Sequence, residues 1–129
     1  MGNRPIMVLL VDGTPEAFLE VLSRLYKRGC RCHFATSFDD ACRLISCSEF
    51  DLVLSQYHLP DRTAFSLYDR LAGSQATLFL YKQVEGSCVW LPLLERGKSC
   101  IGAPMLRPYN FAEALENVLS TMVVNDRIS

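Results

Sequence analysis

A chain of 129 residues, 50% hydrophobic and 21% charged, fits one domain with a core of its own, read as residues 1–129 with a core over 5–123. Its net charge of −1 provides no basic footprint for nucleic acid, and no apolar run approaches the roughly 20 residues that a membrane span needs. The first apolar run, Ile6–Val11, is too short for a signal-peptide core and lacks a small-residue cleavage site, so the expected compartment is the cytoplasm.

The elements alternate along the chain. Ile6–Val11 is a continuous apolar run ending at Asp12 and predicts a first strand. Thr14-Pro15 gives a cap followed by proline at the first helical position. Phe18, Leu19, Val21, Leu22, Leu25 and Tyr26 then recur at helical spacing until Gly29. Arg31–Ala35 predicts a second strand. Ser37-Phe-Asp-Asp40 has the form of a capping box, with Ala41, Leu44 and Ile45 supplying the next helix's buried face. Leu52–Ser55 predicts strand 3, 63–71 a third helix broken by Gly73-Ser74, and Thr77–Tyr81 strand 4. A last strand is expected near Ile101–Leu106, then a helix capped by Asn110 and carrying Phe111, Leu115, Val118, Leu119 and Met122.

Strands alternating with helices at this spacing predict a parallel sheet covered on both faces. Pro104 cannot donate to a ladder, which places the fifth strand at a sheet edge. Residues 82–98 fit less simply. Gly86 and Pro92 interrupt any long helix, so the expectation is a shortened fourth helix or a hairpin in its place, with Cys88-Val-Trp-Leu91 able to form an extra strand.

The carboxyl ends of such strands carry the chemistry, and there the chain offers Asp12-Gly13, Gln56-Tyr-His-Leu-Pro60, Tyr81 and Arg107-Pro108. In this order, on these elements, the landmarks resemble a response-regulator receiver domain. The resemblance implies a flavodoxin-like doubly wound five-stranded parallel sheet in the order 2-1-3-4-5 and a role in two-component or phosphorelay signalling. In that family an acidic pair ends strand 1 and a phosphoacceptor aspartate ends strand 3. A Thr or Ser ends strand 4, and Lys-Pro follows strand 5.

The departures all fall on the chemistry. Gln56 is an amide and cannot act as the carboxylate nucleophile. Together with Gly13 it leaves Asp12 as a lone acid where Mg²⁺ needs several. Tyr81 is too bulky to follow a phosphoryl group inward. Arg107 keeps the cation, and its fork suits pairing with Asp12 across the pocket, with Gln56 bonding to one of them. The function this implies is that of a degenerate receiver, or pseudo-receiver, acting without enzymatic activity or cofactor through phosphorylation-independent contact with a protein partner of a signalling pathway. The alternatives are a phosphorelay receiver with an unconventional acceptor and a thiol-based metal or redox sensor.

The remaining candidates have blander readings beside them. Asp51 begins strand 3, far from the pocket, and Asp61 reads as a turn or cap residue. His33 and His58 are isolated. Six cysteines without an export signal are expected as buried thiols, although Cys30-Arg-Cys32 puts two of them on one strand face. Trp90, Leu91 and Leu94 either cover the sheet as a fourth helix would, or form a partner-binding or homodimer patch.

Overall fold

The computed structural model of the chain describes residues 5–14, 19–84, 87–101, 105–108 and 119, with backbone alone at 19–21, 24, 83, 84, 87, 88 and 105–108. Its elements are β1 (Ile6–Val11), α1 (Leu19–Lys27), β2 (Cys30–Ala35), α2 (Phe38–Cys47), β3 (Leu52–Gln56), a 3₁₀ turn (Ala64–Ser66), α3 (Leu67–Leu71), β4 (Thr77–Val84), β5 (Ser87–Glu95), β6 (Lys98–Ser99) and β7 (Met105–Pro108). No helix among the described residues is long and apolar enough to cross a membrane.

Four strands follow the expected parallel order, β2-β1-β3-β4. Their sequences explain the placement. Val8–Val11 and Leu52–Leu54 are fully buried, as central parallel strands covered on both faces must be. Ser37 caps α2, its side chain accepting from the Asp40 N–H at 3.1 Å. Gly29 ends the turn after α1 at a φ of 76°, the left-handed conformation that glycine adopts without a Cβ penalty.

Beyond β4 the five-stranded parallel scheme gives way. The neighbour of β4 is β5, which runs antiparallel and forms a hairpin with it, so the sheet is mixed. This is the hairpin alternative for the segment that could not sustain a fourth helix. Pairing with β5 carries β4 through to Val84, three residues past Tyr81, where the apolar run alone predicted its end. Pro92 sits where the β4–β5 register shifts, so Leu78 opposes Leu94 while Phe79 opposes Pro92. The extra residue lets the consecutive Leu93 and Leu94 both enter the same core cluster.

The expected fifth strand becomes β7, which pairs with β5 in place of β4. It begins at Met105, four residues later than the predicted 101–106 strand. Ile101 lies outside any strand and is half exposed. Pro104 falls outside the described residues. So does the predicted final helix except Leu119, which is helical and buried. The helix start at Thr14-Pro15 likewise lies largely outside them.

A tight turn joins β5 to β6. Arg96 and Gly97 have φ of 52° and 83°, the left-handed pair that a two-residue hairpin loop requires. The turn docks on the loop after α3. The Gly97 N–H donates to the Ala76 carbonyl (2.8 Å), the Gly73 N–H to the Gly97 carbonyl (3.2 Å) and the Arg96 N–H to Thr77 Oγ1 (3.2 Å).

Side-chain alternation splits the core into two layers. Leu9, Val11, Val53, Leu78 and Leu80 meet Ala41 of α2 and Leu67 and Leu71 of α3 on one face. Ile6, Val8, Leu10, Leu52, Leu54 and Tyr81 meet Leu25 of α1, Trp90 and Leu119 on the other.

Candidate functional site

The carboxyl ends of β1, β3 and β4 bring three of the sequence-selected residues together. Val11 lies opposite Ser55 and Gln56 opposite Tyr81, so Asp12, Gln56 and Tyr81 stand at one level across neighbouring strands. Asp12 is 4% exposed and Tyr81 1%.

A carboxyl group this buried is costly unless donors surround it. Asp12 has three described ones. The Tyr81 hydroxyl, reaching from β4 across β3, donates to Oδ2 at 2.8 Å. Oδ1 accepts from the Thr14 N–H at 2.9 Å and from Thr14 Oγ1 at 3.2 Å, an Asx turn closed by its own hydroxyl. The phenol does not leave the pocket open. It packs in one core layer and ties β4 to the end of β1.

Gln56 turns its amide onto its own loop, its Oε1 accepting from the Tyr57 N–H at 3.0 Å, which also donates to the Tyr81 carbonyl at 2.8 Å. Gly13 is exposed, yet a Cβ there would lie 3.0 Å from Pro60 Cγ and 3.3 Å from its Cδ. Pro60 thus stands beside the position where a second acid would project.

The loop carrying Pro60 is fixed at several points. His58 and Thr63 form an isolated bridge, and the Ala64 N–H donates to the Tyr57 carbonyl at 2.8 Å. Asp61 reaches outward to α2, accepting from the N–H of Phe38 (2.9 Å) and of Asp39 (3.0 Å). Those backbone donors, Phe38 first, hold its carboxyl below the ordinary carboxylate range. Asp61 is therefore a cap, as its loop position predicted, although the helix it caps is α2.

Arg107 is not brought to this cluster by the backbone. It lies on β7, separated from β4 by β5 and four strand steps from β1, roughly 19 Å across the sheet. Its side chain lies outside the described residues, and so does the ion pair expected of it. The candidate surface patch is corrected. Trp90 is 2% exposed and Leu94 1%, with Leu91 half-buried, so these side chains pack into the core and hold β5 onto the sheet. The Trp90 ring stands 6.0 Å from that of Tyr81 and 5.8 Å, edge-on, from that of Phe79.

The other candidates are structural. Asp51 Oδ2 accepts from the Met7 N–H at 2.9 Å, at the opposite end of β3. His33 packs edge-on to Phe50 and His58 to Tyr57. Cys30 and Cys32 face the same layer of the core, as their spacing predicted. Burial, and then the Cys30 neighbour, pushes the Cys32 thiol up to about 11. Among the described residues no group of three or more His, Cys, Asp or Glu lies where it could hold a metal ion.

The Mg²⁺ that the receiver resemblance implies does not fit the residues present. Both Asp12 oxygens accept internal donors, position 13 has no side chain, and Gln56 contributes an amide oxygen already bonded to backbone.

Sequence reasoning singled out Asp12, Gln56 and Tyr81, which the structure sets side by side, and missed Thr14 as a partner of Asp12. The signal was there, since Asp-x-Thr after a strand is an Asx-turn spacing. The reach of Asp61 to α2 had no local signal.

No family model and no curated protein matches the chain. Among solved structures it is similar to the crystal structure of the signal receiver domain of an HD domain-containing protein from Pseudomonas fluorescens Pf-5. Identity is 31% and the TM-score 0.53, over 62% of this chain and 60% of that one. The likeness thus spans less than two thirds of the neighbour. It supports an α/β fold of receiver type, its parallel strands set in a mixed sheet.

Proposed function

We propose that this chain is a receiver-type signalling module whose phosphorylation pocket is closed by internal hydrogen bonds, and that it works through contact with a protein partner, without turnover and without a phosphoryl group at position 56. The likeness to a signal receiver domain supports the signalling role. The observation that carries the pocket reading is the buried Tyr81–Asp12 hydrogen bond, which occupies the acid that phosphoryl transfer would need for its metal. Gln56 adds a second block, because its amide cannot form an acyl phosphate as a carboxylate can.

Incubation with acetyl phosphate and Mg²⁺ followed by intact-mass measurement tests this. The expected result is no phosphoryl adduct. A stoichiometric adduct would establish the alternative, a phosphorelay receiver with an unconventional acceptor. Gln56→Asp alone is expected to remain a poor acceptor, since Asp12 stays engaged by Tyr81 and position 13 still lacks an acid. Adding Gly13→Asp forces Pro60 to move by a few tenths of an ångström. Efficient phosphorylation of the single Gln56→Asp variant would show that the Tyr81 contact does not close the pocket.

A further inference from the structure

The segment between β3 and the 3₁₀ turn, residues 57–63, is bound at both ends and at its tip. At its base the Tyr57 N–H donates to the Tyr81 carbonyl, and the Tyr57 carbonyl accepts from the Ala64 N–H, both at 2.8 Å. The His58–Thr63 bridge and a Leu59 N–H to Arg62 carbonyl bond (3.1 Å) close it into a narrow loop. Its apex lies against the chain after β1, with Pro60 over Gly13. Its far side lies on α2, where Asp61 takes the Phe38 and Asp39 amides and the Arg62 guanidinium stacks 4.5 Å from the Phe38 ring centroid.

The donors at the start of α2 are divided with no overlap. Ser37 Oγ accepts from the Asp40 N–H and the Ser37 carbonyl from that of Ala41. The helix's own cap leaves the Phe38 and Asp39 amides to find other acceptors, and Asp61 takes both. A single carboxylate, distant in sequence, completes the helix start and fixes the loop in one act.

We propose that residues 57–63 form a strap at the carboxyl-end face of the sheet, latched onto α2 by Asp61. Opening the latch frees Pro60 from its place beside Gly13 while the sheet stays folded. The strap and the first turn of α2 therefore open as one local unit.

Amide hydrogen exchange by NMR on the whole chain tests this, comparing the native sequence with Asp61→Asn and Asp61→Ala. The expected result is exchange faster by about fivefold or more at Phe38, Asp39, Leu59 and Ala64 together, with Leu10 and Leu54 in the central strands unchanged. Arg62→Ala should accelerate the same set by a smaller factor. Faster exchange at Phe38 and Asp39 alone would overturn the proposal, leaving Asp61 an ordinary cap with no hold on the loop. Equal acceleration at Leu10 and Leu54 would overturn it too, as global destabilisation. The measurement involves no phosphate, so its failure would leave the reading of the pocket chemistry untouched.

Discussion

On one side of β4 the strands run parallel and each is followed by a helix; on the other side β5, β6 and β7 are joined through hairpin pairings and antiparallel registers. The parallel half is stabilised by side chains buried from both faces, which is why β1 is wholly apolar and β3 begins with the apolar run Leu52–Leu54. The antiparallel half depends on a smaller set of fixed points: the Trp90 ring, the bulge at Leu93 and the Arg96-Gly97 turn seated on the loop after α3. β4 is the seam between them. Tyr81 pairs with Gln56 on one edge and with Trp90 on the other, and its hydroxyl reaches Asp12 beyond β3. The comparison shows that one residue can bond to the carboxyl-end acid of the first half and pack beside the Trp90 ring of the second.

The strongest way to break this picture is to remove Trp90. Trp90→Ala deletes a 2%-exposed ring from the core and is expected to cost about 3–5 kcal/mol in chemical denaturation followed by far-UV circular dichroism. A loss below about 1 kcal/mol would make the antiparallel half a peripheral addition that the core does not need.

Glycine substitutions sharpen the comparison next. Gly29, Gly73 and Gly97 all have positive φ, but a Cβ on Gly29 or Gly73 meets nothing within 4 Å, whereas one on Gly97 would lie 1.6 Å from the Ser74 carbonyl oxygen. Gly29→Ala and Gly73→Ala should each cost about 1–2 kcal/mol from backbone strain alone. Gly97→Ala should exceed both, because the turn must also lift off its seat. Equal costs at the three positions would show that the contact between the hairpin tip and the 72–76 loop contributes nothing.

Tyr81→Phe separates the two roles of the seam. It keeps the ring against Trp90 and removes only the hydroxyl on Asp12, for an expected loss of about 1–3 kcal/mol. A neutral outcome would mean that Thr14 alone satisfies the carboxylate and that the pocket is not locked by Tyr81.

The smallest effect is an acid one at Asp61. Its folded pKa lies below its unfolded one, so its contribution is fully present above the ordinary carboxylate range and is lost as pH falls through the depressed value. The stability difference between the native chain and Asp61→Ala should therefore be constant near neutrality and shrink in acid. The group is exposed, so salt should reduce the difference as well. A difference that grows in acid would reverse the assignment.

The sequence by itself determined the parallel half. Runs such as Ile6–Val11 and Leu52–Ser55, together with Ser37 and Gly29, encode their elements through local rules of burial, capping and φ, and each lies in the structure within a residue of its predicted place. It also marked Asp12, Gln56 and Tyr81, because a residue at the carboxyl end of a parallel strand has its place fixed by the strand. What partnered them was decided only by tertiary structure. Tyr81 meets Asp12, 69 residues away in sequence, because β3 sets the distance between their strands. Gly86 and Pro92 excluded a long helix without choosing its replacement. Strand pairing is non-local, and only the edge offered by β4 could select a hairpin there and send β7 one strand further out.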